Sequence, residues 1–168
     1  METTKLYSLN LGNIKAYLFA GLFILGNLLL PQLVHLIPNG GLIFLPIYFF
    51  TLIAAYKYGI YVGLLTAVFS PLANSLLFGM PVAAMLPAIM TKSVILAIAA
   101  TLAAKHFGKV SIWGILLAIL AYQFIGTGIE WVMTQNFFVA VQDFRMGIPG
   151  MLIQLFGGYF VLKALAKA

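Results

Sequence analysis

The sequence predicts an all-α integral membrane protein, a compact bundle of six transmembrane helices with both termini cytoplasmic. Three observations carry that prediction. Of 168 residues, 64% are hydrophobic and only 7% charged, and mean hydropathy is +1.11, so the chain lacks the polar shell that a soluble domain of this size needs. Apolar runs long enough to cross a bilayer recur along the whole chain, each cut off by Gly, Pro, Asn or Lys. The cations fall unequally among the breaks.

Taken in order, residues 1–15 form a polar, mixed N-terminal segment without the cleavage site of a signal peptide. The predicted spans are about 16–37, 42–56, 58–78, 81–104, 111–134 and 147–165. The second holds about 15 residues where about 20 is usual, so it is either tilted in a thinned region or begins earlier, within Pro38-Asn39-Gly40-Gly41. Residues 135–146 make the longest connection. No linker, repeat or second domain interrupts the series, and one transmembrane domain is expected over 1–168.

Orientation follows from the cations. With a cytoplasmic N-terminus, the inner side holds Lys5, Lys15, Lys57, Lys105, Lys109, Lys163 and Lys167, and the outer side only Arg145. That asymmetry places both termini inside. The formal charge of +6 is spread singly along the chain, which reads as topology and not as a nucleic-acid surface.

Several chemistries are excluded. With no cysteine there is no disulfide, thiolate or Cys-ligated metal. His35 has no second ligand at metal spacing. There is no phosphate-binding glycine loop, HExxH, paired carboxylate set or serine triad, so neither an enzyme nor a cofactor is expected.

Lys92 lies near the middle of the fourth span, and an ammonium in hydrocarbon costs about 3 kcal/mol or more unless something receives it. Gln123, Thr127, Glu130 and Thr134 recur at intervals of four, three and four and so share one helix face. Gly59, Gly63, Ala67, Ser70 and Asn74 form a small-residue stripe ending in an amide, with Pro71 expected to kink the helix. Gly147, Gly150, Gln154 and Gly158 form another. At about 1.5 Å per residue, Asn74, Lys92, Glu130 and Gln154 all fall in the outer half of the membrane. Two readings of these groups stand side by side. Lys92 and Glu130 form a structural ion pair with Asn74 and Gln154 as interhelical glue, or the same groups line a pocket open to the outside; the two are compatible, because an empty site can hold the pair that a ligand displaces.

Six helices, cytoplasmic ends and an outer polar cluster resemble the substrate-binding S component of energy-coupling factor vitamin transporters. Ala16-x-x-x-Ala20 is similar to the small-xxx-small motif with which such proteins dock on a transmembrane T subunit. The run from Leu45-Pro46 through Tyr58-Gly59 and Gly63 to Ser70-Pro71-Leu72 resembles the helix two to three region of that family, and the Gly79-Met80-Pro81 turn leading into a helix with mid-membrane polar groups is also similar. The resemblance implies capture of a vitamin or related micronutrient, and delivery when the T subunit and two cytoplasmic ATPases engage. The expected ligand contacts are Lys92 to an anionic oxygen, Asn74, Gln123, Glu130 and Gln154 as polar partners, and Trp131 or Phe137 over an apolar ring. Residues 38–41 and 135–146 would serve as lids. A non-transporting scaffold like the rod-shape membrane proteins is the alternative. A self-sufficient channel would need a polar route through the inner half, which the sequence does not offer.

Overall fold

The computed structural model describes residues 6 and 8–167; Lys5, one of the cations in the orientation count, lies outside the described residues. Every regular element among the described residues is helical. In order these are α1 (Ile14–Val34), α2 (Gly40–Phe44), a 3₁₀ turn (Pro46–Tyr48), α3 (Phe49–Tyr58), α4 (Ile60–Phe78), α5 (Leu86–Phe107) and α6 (Ile112–Thr134). The short helices α7 (Phe137–Ala140), α8 (Gln142–Met146) and α9 (Ile148–Leu152) follow, then a π turn (Ile153–Gly157) and α10 (Gly158–Lys167). Five of these stretches are long and apolar enough to cross a membrane: Ile14–Val34, Ile60–Phe78, Leu86–Phe107, Ile112–Thr134 and Ile148–Lys167. Among the described residues the chain is therefore all-helical, with five candidate membrane spans.

The second predicted span departs from that pattern, because it is not one helix. It begins at Gly40, inside the Pro38 to Gly41 segment, and breaks at Leu45, whose backbone is left-handed (φ 46, ψ 49). Pro46 is the cause: its ring disfavours the right-handed helical conformation at the preceding residue. Irregular backbone at membrane depth is tolerated where protein covers it, and α3 is buried from Thr51 to Tyr58. The fourth predicted span also starts later than expected, at Leu86 of α5, because residues 82–85 form a turn before it.

On α1, Ala16, Ala20, Phe23, Asn27 and Pro31 are buried, at intervals of four, three, four and four. Leu18, Leu22, Leu25, Leu29 and Leu33 are exposed on the other side. The buried stripe packs on α3 and α4, with Phe19 stacked on Tyr58 at 4.2 Å between ring centroids. The small-residue stripe of α4 is likewise buried at Gly63, Ala67, Ser70 and Asn74.

Asn27 ties these helices together at the centre. Its Nδ2 donates to the hydroxyls of Thr51 (3.2 Å) and Ser70 (3.1 Å), and its Oδ1 accepts from the Phe50 N–H at 3.3 Å. The Thr51 hydroxyl lies 3.5 Å from that of Ser93 on α5. Pro31 has no N–H to give the Asn27 carbonyl its helical partner, and Asn74 Nδ2 supplies the missing donor at 2.8 Å. Asparagine, threonine and serine from four helices thus satisfy one another in a setting without water. Interhelical hydrogen bonds of this kind contribute about 0.6 kcal/mol each. We expect Asn27→Leu to cost about 2 kcal/mol in reversible unfolding from mixed micelles, and Ser70→Ala about a third of that; an Asn27→Leu protein as stable as its parent would show that the hub contributes nothing.

Candidate binding site

The centre of the site is a shared ammonium. Lys92 on α5 donates from Nζ to Asp143 Oδ2 at 2.8 Å and pairs with the carboxylate of Glu130 on α6. Lys92 and Glu130 are 1% and 4% exposed and Asp143 17%, so the charges meet largely out of water. Taking one partner of such a group away leaves a buried charge uncompensated.

Local sequence explains how the three meet. The Lys92 stem crosses α6 over Gly126, where a Cβ would collide with the Lys92 side chain. Gly126 lies one turn before Glu130, so the groove that admits the stem also delivers the ammonium to the carboxylate. Asp143 arrives from the connection that follows α6. That helix ends at Gln135 in a left-handed conformation (φ 53), and Asn136 caps α7 by accepting from the N–H groups of Phe138 (3.0 Å) and Val139 (3.3 Å). The chain then folds back through α8, which carries Asp143 over the ends of α5 and α6.

A second polar cluster adjoins the first. Tyr122 donates to Gln154 Oε1 at 3.1 Å, Gln123 Nε2 donates to the Tyr122 hydroxyl at 3.2 Å, and Gln154 Nε2 donates to the Leu45 carbonyl at 3.4 Å. Gln154 stands in the π turn between α9 and α10, a local widening common at functional positions. It serves the backbone at the Leu45 break. Gly150, one turn earlier, lets α9 approach the backbone of Ile43 and Phe44, which a Cβ would prevent. Tyr48 packs on Tyr122 with ring centroids 4.9 Å apart.

Above these clusters is a cavity of about 480 Å³. Its walls come from the end of α1 and the segment that follows (Pro31, His35), from α2 and the 3₁₀ turn (Leu45, Ile47, Tyr48), from Asn74 on α4, from the turn and start of α5 (Met85, Ile89), and from Glu130 and Asp143. It therefore sits at the end of the bundle where the 35–48, 79–85 and 135–147 connections gather. The opposite end carries Lys15, Lys57, Lys105, Lys109, Lys163 and Lys167, with Tyr56 bonded to the Lys109 carbonyl at 2.9 Å.

Of the residues singled out from sequence, the cavity gathers Asn74 and Glu130. Lys92 is not among the wall residues, and its ammonium is engaged by Glu130 and Asp143. Gln123 and Gln154 are fully buried and not among the cavity residues; Gln154 links Tyr122 on α6 to the Leu45 break, while Gln123 bonds the Tyr122 hydroxyl of its own helix. Trp131 is 51% exposed and packs edge-on against Phe137 at 5.3 Å on the outside of α6. Ala16 and Ala20, at 0% and 2% exposure, face the chain's own core, so the docking expectation finds no open surface there.

Asp143 and Asn27 were not read as site residues. Asp143 lies 51 positions from Lys92 on a short surface helix, outside any periodic span. Asn27 had a usable signal: an amide four residues before Pro31, the position whose carbonyl that proline leaves unpaired.

We expect Lys92→Met to cost about 3–5 kcal/mol because it leaves two carboxylates facing each other in a poorly hydrated setting. Adding Glu130→Gln and Asp143→Asn to that variant recovers most of the loss, read from unfolding in mixed micelles. A single Lys92→Met protein as stable as its parent would contradict this account of the cluster.

Comparison of the chain with family models, with curated proteins and with solved structures returned no match.

Proposed function

We propose that this protein is the substrate-capture subunit of an importer of the energy-coupling factor type, binding a small micronutrient in the cavity between α1, α2, α4, α5 and α8. The observation that carries the reading is the cavity itself. Its size lies in the roughly 300–1,000 Å³ range of small-molecule sites, and its mostly apolar wall holds a few convergent polar groups, as such sites do. Below it, the space is filled: Tyr122, Gln123 and Gln154 bond to one another, and Asn27, Thr51, Ser70 and Ser93 close the centre. A site open at one end and plugged below suits capture better than conduction.

The cation distribution supports an outward mouth. Six described lysines stand at the opposite end and Arg145 at the cavity end, a bias that by the positive-inside rule supports a reading with the cavity outside and the termini in the cytoplasm. The sixth crossing in this reading is the broken segment of α2, the 3₁₀ turn and α3. Delivery would use a transmembrane T subunit and two cytoplasmic ATPases in a prokaryotic plasma membrane.

Purified alone in nanodiscs, the protein should carry a bound small molecule detectable by native mass spectrometry. Adding that molecule at 100-fold its Kd should stabilise the fold by about 2.7 kcal/mol. Met85→Trp, which fills the cavity from its rim, should abolish binding with little change in the unfolding midpoint of the empty protein. A preparation that carries no small molecule and gains no stability from any micronutrient tested would favour the rod-shape type of scaffold.

A further inference from the structure

The charge arithmetic of the cavity identifies what it prefers to hold. With all three groups ionised, Lys92 contributes +1 and Glu130 and Asp143 −2, so the cluster carries a formal charge of −1. The negative members line the cavity, the positive one does not, and no Lys or Arg stands among the lining residues. The imidazole of His35 belongs to the α1 side of the wall.

Asn74 adds an independent sign of the same chemistry. It is 1% exposed and lines the cavity. Both hydrogens of its amide are directed to carbonyls, that of Asn27 at 2.8 Å and that of Ser70 at 3.0 Å, which leaves Oδ1 buried without a partner. Asn74 therefore presents an acceptor only. The cavity thus offers three acceptors, two of them charged, within walls of leucine, isoleucine, methionine and tyrosine.

We propose that the cavity binds an organic cation with an apolar body, a protonated amine or amidinium whose N–H groups reach Glu130, Asp143 and the Asn74 oxygen. This rests on the capture reading above. Such a ligand brings the cluster to neutrality and supplies the donors its acceptors lack. An anion would meet two carboxylates before it met the ammonium, and would have to displace one of them to reach it. The same chemistry is available from a free solute and from an amine-bearing lipid headgroup entering from the surrounding leaflet.

The test uses the full chain in nanodiscs of phosphatidylglycerol, a lipid without an ammonium group, and reads the thermal unfolding midpoint. Benzylammonium and benzamidinium are expected to raise the midpoint with saturation, while benzyl alcohol and benzoate leave it unchanged. Asp143→Asn should raise the benzylammonium concentration for half-maximal shift by about ten-fold or more, as loss of one charged hydrogen-bond partner implies; Glu130→Gln is the second variant should the first not fold. Adding phosphatidylethanolamine identifies the source: competition with benzylammonium assigns the site to the headgroup, and indifference assigns it to a free solute. Stabilisation by benzoate but not by the cations would overturn the proposal and leave the capture reading intact. A full response in both carboxamide variants would overturn it too. So would no shift with any probe, and a small molecule co-purifying with such a preparation would still uphold capture.

Discussion

The whole arrangement depends on one ammonium held between two carboxylates inside an apolar bundle. A lysine at this depth is costly, and the chain meets the cost by bringing acids from two other elements to the same point. The consequences run outward. Gly126 must be small to let the stem pass, α6 must continue to Glu130, and the connection after it must fold back through α7 and α8 to deliver Asp143. That fold-back also builds one wall of the cavity, so the interaction that neutralises the buried charge and the one that shapes the hollow are the same.

A second constraint works from the proline and glycine positions. Pro31 leaves the Asn27 carbonyl without its helical donor, and Asn74 from α4 replaces it. The Leu45-Pro46 step breaks the short second segment, and Gln154 takes up the Leu45 carbonyl. In the first place a backbone carbonyl left without its helical donor by proline is satisfied by an amide from a distant helix; in the second, a distant amide adds a donor to a carbonyl that already accepts from the Tyr48 N–H. Membrane interiors leave no alternative, since water is not there to do it. The breaks create the irregular wall of the cavity, and the amides lock that wall to the rest of the bundle.

Much of this was legible in the sequence. Periodicity put Gln123, Glu130, Asn74 and Gln154 on inward faces, and each is buried. The possible contact of Lys92 with Glu130 followed from depth alone. The short second run could be seen as anomalous, but the break at Leu45 depends on a left-handed residue that hydropathy does not reveal. Asp143 escaped because a five-residue helix in a connection has no periodicity to read, and its role arises only when the chain folds back. Ala16 and Ala20 show the opposite limit, because small-residue spacing is the same whether it packs on the chain's own core or on a partner.

The most direct measurement of the central interaction is solid-state NMR on protein in lipid, with ¹⁵N in the lysine side chains and ¹³C in the carboxyl groups of Asp and Glu. Dipolar coupling from Lys92 Nζ to the carboxyl carbons of both Glu130 and Asp143, at the strength of direct contact, is the predicted result. Coupling to neither acid, or to Glu130 alone with Asp143 turned to solvent, would contradict it.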